Sequence, residues 1–459
     1  MAAIPAGENS PMRKSLASYF FTITWLLLVG FVSAAIPGQV PQAANVKVVY
    51  AGRLLDGTSN AARTNVSIII DKDRIREVRD GRATVEGAEV IDLGDATVLP
   101  GLIDCHTHLT MQIGRDTSAP LAMLARRPSA VALTATTYAR ATLMAGFTTV
   151  RDVGANNFVD VSLRDAINAG TVSGPRMFVA TQALGITGGH VDPVSGVRED
   201  LLPEPDFRKG VVNSPEDGVR AVRYNAKYGA DVIKIAATGG VLSLSDASLE
   251  QHLTFEEMKA IIDAAHLLGL KVAAHAHGAA GIKAALRAGI DSIEHGTFTD
   301  DEAIALFKEH GAYLVPTIIA GKTVAGAAKQ PGFFPPRIAE KALKAGPLMQ
   351  AMFGRAYRAG VKIAFGTDAG VYPHGQNARE FEYMVEAGMP PIEAILAATR
   401  NAADLLGQSA NIGSVQAGRF ADLVAIKGDP AADIKLLQNV SFVMKSGVVY
   451  KRDGKPVVW

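Results

Sequence analysis

Five short segments carry residue types that do chemistry. The first is Asp104-Cys105-His106-Thr107-His108. In an extended strand, residues i and i+2 face the same side. His106 and His108 therefore present two imidazoles together, close enough to share one metal ion, although an HxH alone also fits ordinary packing. The second is Asp231-Val232-Ile233-Lys234-Ile235, a lysine inside an apolar run. Burying an unpaired ammonium is costly, so Lys234 either snorkels at a strand edge or meets compensating charge. The third is Val272-Ala273-Ala274-His275-Ala276-His277-Gly278, a second HxH, and the fourth is Ile293-Glu294-His295-Gly296. The fifth, Phe365-Gly366-Thr367-Asp368-Ala369, ends an apolar run on a carboxylate. Taken together, His106, His108, His275, His295, Asp368 and Lys234 all fall at the ends of apolar segments. Imidazole and carboxylate suit zinc and similar divalent ions. His252, His266 and His310 lie in helical or loop contexts and read as surface or packing residues.

Something must hold these segments side by side. Eight β-branched or apolar runs alternate with Ala-rich stretches such as Ser129 to Ala145 and Phe255 to Leu268. The expected strands are Thr97–Asp104, Thr148–Val153, Arg176–Thr181, Asp231–Ile235, Lys271–Ala276, Ser292–His295, Tyr313–Thr317 and Lys362–Asp368. Strand–helix alternation predicts a parallel sheet, and eight units predict an α/β fold of the (β/α)8, TIM-like barrel type. Such barrels place their active sites at the C-terminal strand ends. Both chain ends read differently. Val46–Val49, Val66–Ile70 and Ile75–Val78 resemble Leu423–Ile426, Val440–Met444 and Val448–Tyr450 as short strands between turn residues. The expected domains are a barrel over 97–411 and a small β-sandwich composed of 46–96 and 412–459.

Composition narrows the function class. The 459 residues are 48% hydrophobic and 20% charged, enough apolar content for a large core. With Lys+Arg 46 against Asp+Glu 45, no basic excess points to nucleic acid. A single cysteine, Cys105, excludes an intramolecular disulfide and any Cys-rich zinc module. Near the N-terminus, Arg13 and Lys14 precede the apolar run Tyr19 to Val32, followed by small residues at Ser33-Ala34-Ala35. That order reads as a signal peptide over 1–35, since about 14 apolar residues fall short of the ~20 a spanning helix needs. The expectation is an exported chain that leaves the membrane once the signal is cut.

The motif set resembles the amidohydrolase superfamily of metal-dependent hydrolases. The likeness runs from Gly52-Arg53-Leu54-Leu55-Asp56-Gly57 through Leu99-Pro100-Gly101-Leu102-Ile103-Asp104-Cys105-His106-Thr107-His108 to Gly418-Arg419-Phe420-Ala421-Asp422-Leu423-Val424. In binuclear members the strand-four lysine is carboxylated. A carbamate is anionic and has two oxygens, so it bridges two cations that an ammonium would repel. The resemblance implies two divalent ions, zinc foremost, with His106, His108 and Asp368 on one, His275 and His295 on the other, and carboxylated Lys234 between them. Choosing His275 over His277 rests on alignment, as both face the same way. Gln182-Ala183-Leu184-Gly185-Ile186-Thr187-Gly188-Gly189-His190, Gly239-Gly240 and His275-Ala276-His277-Gly278 are similar to the branch of Xaa-Pro dipeptidases, carboxypeptidases that release a C-terminal amino acid, and ochratoxin-hydrolysing amidohydrolases. There, residues matching His190 and His277 hold the substrate carboxylate. The chain departs from some prolyl-specific members, which carry a tyrosine at the position of His277.

The implied function is hydrolysis of the amide bond to a C-terminal amino acid in a dipeptide, N-acyl amino acid or ochratoxin-like substrate. A hydroxide held between the two metals attacks, and Asp368 moves the proton from water to the leaving amine. The family's habit of closed assembly implies a homo-oligomer. Two alternatives remain: a hydrolase of another ester, lactone or cyclic amide on the same core, and a non-catalytic scaffold. Mononuclear relatives lack the bridging lysine.

Overall fold

The computed structural model describes residues 46–114, 125–244 and 249–457. The expected signal segment lies outside them. Among the described residues, no helix is long and apolar enough to cross a membrane.

Strands β1 (Val46–Leu54), β2 (Arg63–Asp71), β3 (Arg74–Asp80) and β4 (Glu89–Pro100) come from the N-terminal side. The central strands are β5 (Leu102–Thr107), β6 (Phe147–Asp152), β7 (Arg176–Val179), β8 (Val232–Ala236), β9 (Lys271–Ala276), β10 (Ser292–His295), β11 (Tyr313–Val315) and β12 (Lys362–Ile363). The C-terminal side adds β13 (Leu423–Lys427), β14 (Phe442–Lys445), β15 (Val448–Arg452) and β16 (Lys455–Pro456).

Both chain ends join in one eight-stranded sheet, ordered β16-β15-β14-β13-β4-β1-β2-β3. Its centre is β4, which pairs parallel with β1 and antiparallel with β13. The apolar alternation of β2 sends Val66, Ile68 and Ile70 into a cluster with Val98, Leu423 and Phe442. From the C-terminal strands, Val424, Ile426 and Val443 enter a second cluster shared with Leu102, Phe147 and Ile233.

The central strands pair in parallel as β12-β11-β10-β9-β8 and β5-β6-β7. Parallel bridges Thr107 to Ala369 and Leu184 to Ile235 link the edges of these two sheets. So do Cys105 N–H to Phe365 O (2.9 Å) and Asp231 N–H to Val179 O (2.8 Å). Helices alternate with these strands, including Pro128–Met144 after β5, Phe255–Leu267 after β8 and Asp301–His310 after β10. The helix after β8 starts on a capping box. Thr254 accepts from the Glu257 amide and the Glu257 side chain accepts from Thr254 N–H, satisfying two otherwise orphaned donors.

Four strand expectations need correction; among them Arg176–Thr181 ends at Val179 and Tyr313–Thr317 at Val315, with Thr181 and Thr317 turning to φ 60° and 50°. Thr97–Asp104 is not one strand: Thr97–Pro100 completes β4 in the large sheet, and β5 begins at Leu102. Gly101 is the crossing point, where a Cβ would come within 2.0 Å of Thr148 Oγ1, so only glycine lets the chain pass there. The expected strand Lys362–Asp368 is regular only over Lys362–Ile363. Beyond it the chain departs from the ladder, and Asp368 itself takes φ 60°.

Candidate metal centre and active site

The parallel strands bring every motif to one end of the sheet. Lys234 sits mid-strand in β8, with Ile233 and Ile235 in the outer apolar core. By the alternation of the strand, Lys234 takes the opposite face. In register, Ala236 lies beside His275 and His275 beside Glu294. His106 and His295 rings lie 5.0 Å apart between centroids, and His275 and His295 4.7 Å.

Two sets of ligand atoms result. His106, His108 and Asp368 each offer an atom within 4.8 Å of the others, and so do His275, His277 and His295. Asp368 Oδ1 lies 3.5 Å from His106 Nε2 and 3.4 Å from His108 Nε2. His295 and Asp368 both occupy the left-handed backbone region, at φ 68° and 60°. Such conformations are uncommon for these residues and persist where surrounding packing over-determines them, often at functional sites.

The far nitrogen of each imidazole determines its tautomer. His106 Nδ1 donates to Glu294 Oε2 (2.8 Å) and His108 Nδ1 to Gly154 O (3.1 Å), because carboxylates and carbonyls only accept. Both rings thus turn a lone pair on Nε2 toward Asp368. His275 Nε2 donates to Gly239 O (3.2 Å), leaving its lone pair on Nδ1. His277 Nδ1 and His295 Nδ1 meet hydroxyls instead, Thr297 Oγ1 and Thr317 Oγ1, each at 2.7 Å. Hydroxyls donate or accept, so these two rings are free to present either Nε2–H or a lone pair. This donor set fits divalent ions: neutral imidazoles with oriented second nitrogens, plus a carboxylate.

Burial governs the electrostatics. Desolvation, then the Lys234 charge, holds His106 well below the usual histidine range, and the same causes bring His108 to about 4. Burial and the neighbouring histidines, His190 first, likewise depress His275. Desolvation lowers Lys234 to about 8, opposed by Glu294 and Asp368. Asp368 is raised to about 7 by burial, against the pull of Lys234. Stripped of its proton, the Lys234 amine is a nucleophile, and desolvation favours that neutral form.

His190 and His277 flank this centre on the β8–β9 side. His190 and His275 rings lie 4.1 Å apart, and His190 Nδ1 is 2.6 Å from Ser243 Oγ. Gly240 makes the approach possible, since a Cβ there would lie 2.1 Å from His190 Nδ1. Lys341, buried on the helix Pro336–Arg358, donates to Gly240 O and Ser243 O (2.8 Å each) and pins that loop. Desolvation, His190 and Lys341 bring His277 to about 3, so it acts as a neutral ring.

Sequence reasoning missed the supports. Glu294 and Arg151 are fully buried. Arg151 donates to Glu294 Oε1 (2.8 Å), Ser292 Oγ (3.1 Å) and Cys105 O (2.6 Å), joining β6, β10 and β5 behind His106. Asp104 accepts from His106 N–H and Thr367 N–H (3.1 Å each), Thr367 Oγ1 (2.6 Å) and Asn377 Nδ2 (2.8 Å), which ties the two ends of the first ligand set together. Glu294 and Asp104 stood in the motifs already singled out. Their available signal was a charge inside an apolar strand, the same signal that marked Lys234. His374 had none: it donates to Met111 O (2.9 Å) and stacks on Tyr138, steadying the turn after His108. Among the histidines read as background, His266 Nε2 is hydrogen-bonded to Asp291 Oδ2 (2.8 Å), and His252 lies against Gly189.

Residues 97–450 match the profile of the Amidohydrolase family. Ochratoxinase from Aspergillus niger is 33% identical over 438 residues, covering 90% of this chain and 88% of its own. A Xaa-Pro dipeptidase solved with methionine bound in its active site is 46% identical, with a TM-score of 0.86 over 88% of this chain and 100% of that one. A prolidase solved in complex with N-methylphosphonate-L-proline is 33% identical, with a TM-score of 0.81 over 89% and 100% of the two chains.

Proposed function

The chain belongs to the amidohydrolase family and is a hydrolytic enzyme, and from that premise we propose that it cleaves the amide bond to a C-terminal amino acid in dipeptides or N-acyl amino acids. The supporting observation is a pair of convergent ligand sets with buried Lys234 beside them and His190 and His277 on one flank. We read the two parallel sheets as one closed (β/α)8 barrel and the eight-stranded sheet as its sandwich-like companion.

In this reading His106, His108 and Asp368 would hold one divalent ion, and His275 and His295 the other. The fixed Nε2–H of His275 favours it over His277 as ligand, because the Gly239 carbonyl commits its other nitrogen to a lone pair. Lys234, once its neutral amine had added carbon dioxide and lost a proton, would offer a carbamate to both sets. When bound, the ions supply a water of lowered pKa and polarise the scissile carbonyl. Asp368, placed 3.5 and 3.4 Å from the Nε2 atoms of His106 and His108, stands where a carboxylate would take a proton from water and return it to the leaving amine. His277, with Thr297 donating to Nδ1, presents Nε2–H to the substrate carboxylate, and His190 does the same with Ser243. Because His277 is neutral, the clamp works by hydrogen bonds rather than by charge on that ring.

The test compares enzyme and substrate together. A hydrogen bond to a charged group is worth ~1.5–3 kcal/mol, which is roughly tenfold to a hundredfold. His190→Ala and His277→Ala are each expected to lose that much kcat/KM on an N-acyl amino acid while retaining metal. On the matching neutral amide, already poor for the wild type, both substitutions matter far less. Equal wild-type turnover of acid and neutral amide would replace this reading with a general amidase or esterase on the same core.

A further inference from the structure

An apolar cavity of about 180 Å³ lies beside the Asp368 loop, lined among others by Ile113, Val324, Phe333, Phe334, Val371 and Pro373. None of its lining residues is charged. Its walls are continuations of the site itself. Ile113 follows the His108 strand and donates its N–H to Gly370 O (2.6 Å), and Val371 N–H returns to Asp368 O (3.1 Å). Val324 belongs to the helix Ile318–Ala328, which starts directly after Thr317, the partner of His295. Val324, Phe334 and Val371 pack in one buried cluster, so the wall is built rather than an accident of a loose surface.

Position gives the cavity its meaning. His190 and His277 follow β7 and β9, whereas the cavity walls follow β5, β11 and β12, and the order β12-β11-β10-β9-β8 puts the His295 strand between the two groups. A substrate whose carboxylate rests on His190 and His277, with its carbonyl over the ligand sets, would extend its acyl half away from β9, toward the side of the sheet that carries these walls. An apolar cavity of ~150 Å³ admits a benzene ring, so this one accepts a single ring or a branched aliphatic group.

We propose that this cavity receives the acyl half of the substrate and selects apolar, ring-sized or branched groups over small or charged ones. This rests on the amino-acid-releasing function proposed above. The test uses N-acyl methionines carrying acetyl, isovaleryl, phenylacetyl or succinyl groups. Isovaleryl and phenylacetyl should exceed acetyl in kcat/KM by on the order of tenfold or more, with succinyl lowest. Ala327→Phe and Thr323→Phe, on partly exposed positions of the cavity wall, should each cut the phenylacetyl-to-acetyl ratio at least ~10-fold without changing metal content. A flat wild-type series with hydrolysis intact overturns the cavity assignment and leaves the amino-acid-releasing function standing. If nothing in the series is hydrolysed, the amino-acid-releasing function fails instead, and calorimetric binding decides the cavity. Phenylacetyl-methionine binding tenfold tighter than acetyl-methionine supports it, and equal affinities overturn it.

Discussion

Replacing Glu294 with Gln removes one charge and almost no volume, yet no orientation of the new amide satisfies both neighbours. The carboxylate accepts from His106 Nδ1 at 2.8 Å through one oxygen and from Arg151 and Ser292 at 2.8 and 2.6 Å through the other. If the amide oxygen stays with Arg151, its NH2 faces His106 and forces the Nδ1 proton onto Nε2. His106 then loses the lone pair it turns toward Asp368. Disturbing the partner of a ligating imidazole costs ~10–100-fold in metal affinity. If the amide flips, its NH2 opposes the Arg151 guanidinium, and a buried donor goes unmet at about 1–3 kcal/mol. In both cases Arg151 loses its buried counter-charge. Breaking such a pair outright costs ~3–5 kcal/mol, and the surviving amide oxygen keeps the expectation at the lower end. Two measurements separate the terms. Denaturant unfolding of metal-stripped protein reads the Arg151 contribution, and metal content after dialysis against graded chelator reads the His106 contribution. Glu294→Gln protein that matches the wild type in both would refute the claim that Glu294 sets the His106 tautomer and balances Arg151.

Lys234→Ala is expected to lose more metal affinity than the ~10–100-fold cost of an outer partner, and turnover with it, with partial rescue by acetate or propionate. Full activity with two bound metals in that variant would end the bridging role. Lys445 tests burial far from the centre. Its ammonium donates to Gly174 O (2.6 Å), and desolvation, then Arg176, lowers it to about 8. Between pH 8 and the unfolded value of 10.5 the unfolded chain binds the extra proton, so stability rises with pH across that window. The full span is about 3 kcal/mol. Lys445→Met should remove that rise, seen as a shrinking stability difference between variant and wild type from pH 7.5 to 10.5. A constant difference would mean the ammonium is not penalised by burial.

Much of the site was legible from residue types alone. A strand has period two, so each HxH had to place both rings on one side, and a lysine between Ile233 and Ile235 had to face somewhere other than the apolar core. Strand–helix alternation made the sheet parallel, and a parallel sheet gathers the ends of its strands. Local pattern therefore determined which residues meet: His106, His108, Lys234, His275, His295 and Asp368 come from five strands or strand ends yet share one site. Tertiary structure alone decided how each one is held. The tautomer of His106 depends on Glu294, 188 positions away, and that of His108 on Gly154. No local periodicity encodes such pairings. The break at Gly101 had a local signal, since Pro100-Gly101 interrupts the run from Thr97 to Asp104. Which sheet each half joins was decided by tertiary structure, and the Thr148 side chain packed against Gly101 leaves room only for glycine at the crossing. The cavity beside the Asp368 loop belongs to the tertiary structure, because its walls come from chain segments far apart in sequence, and packing between distant segments leaves no trace in the spacing of any one of them.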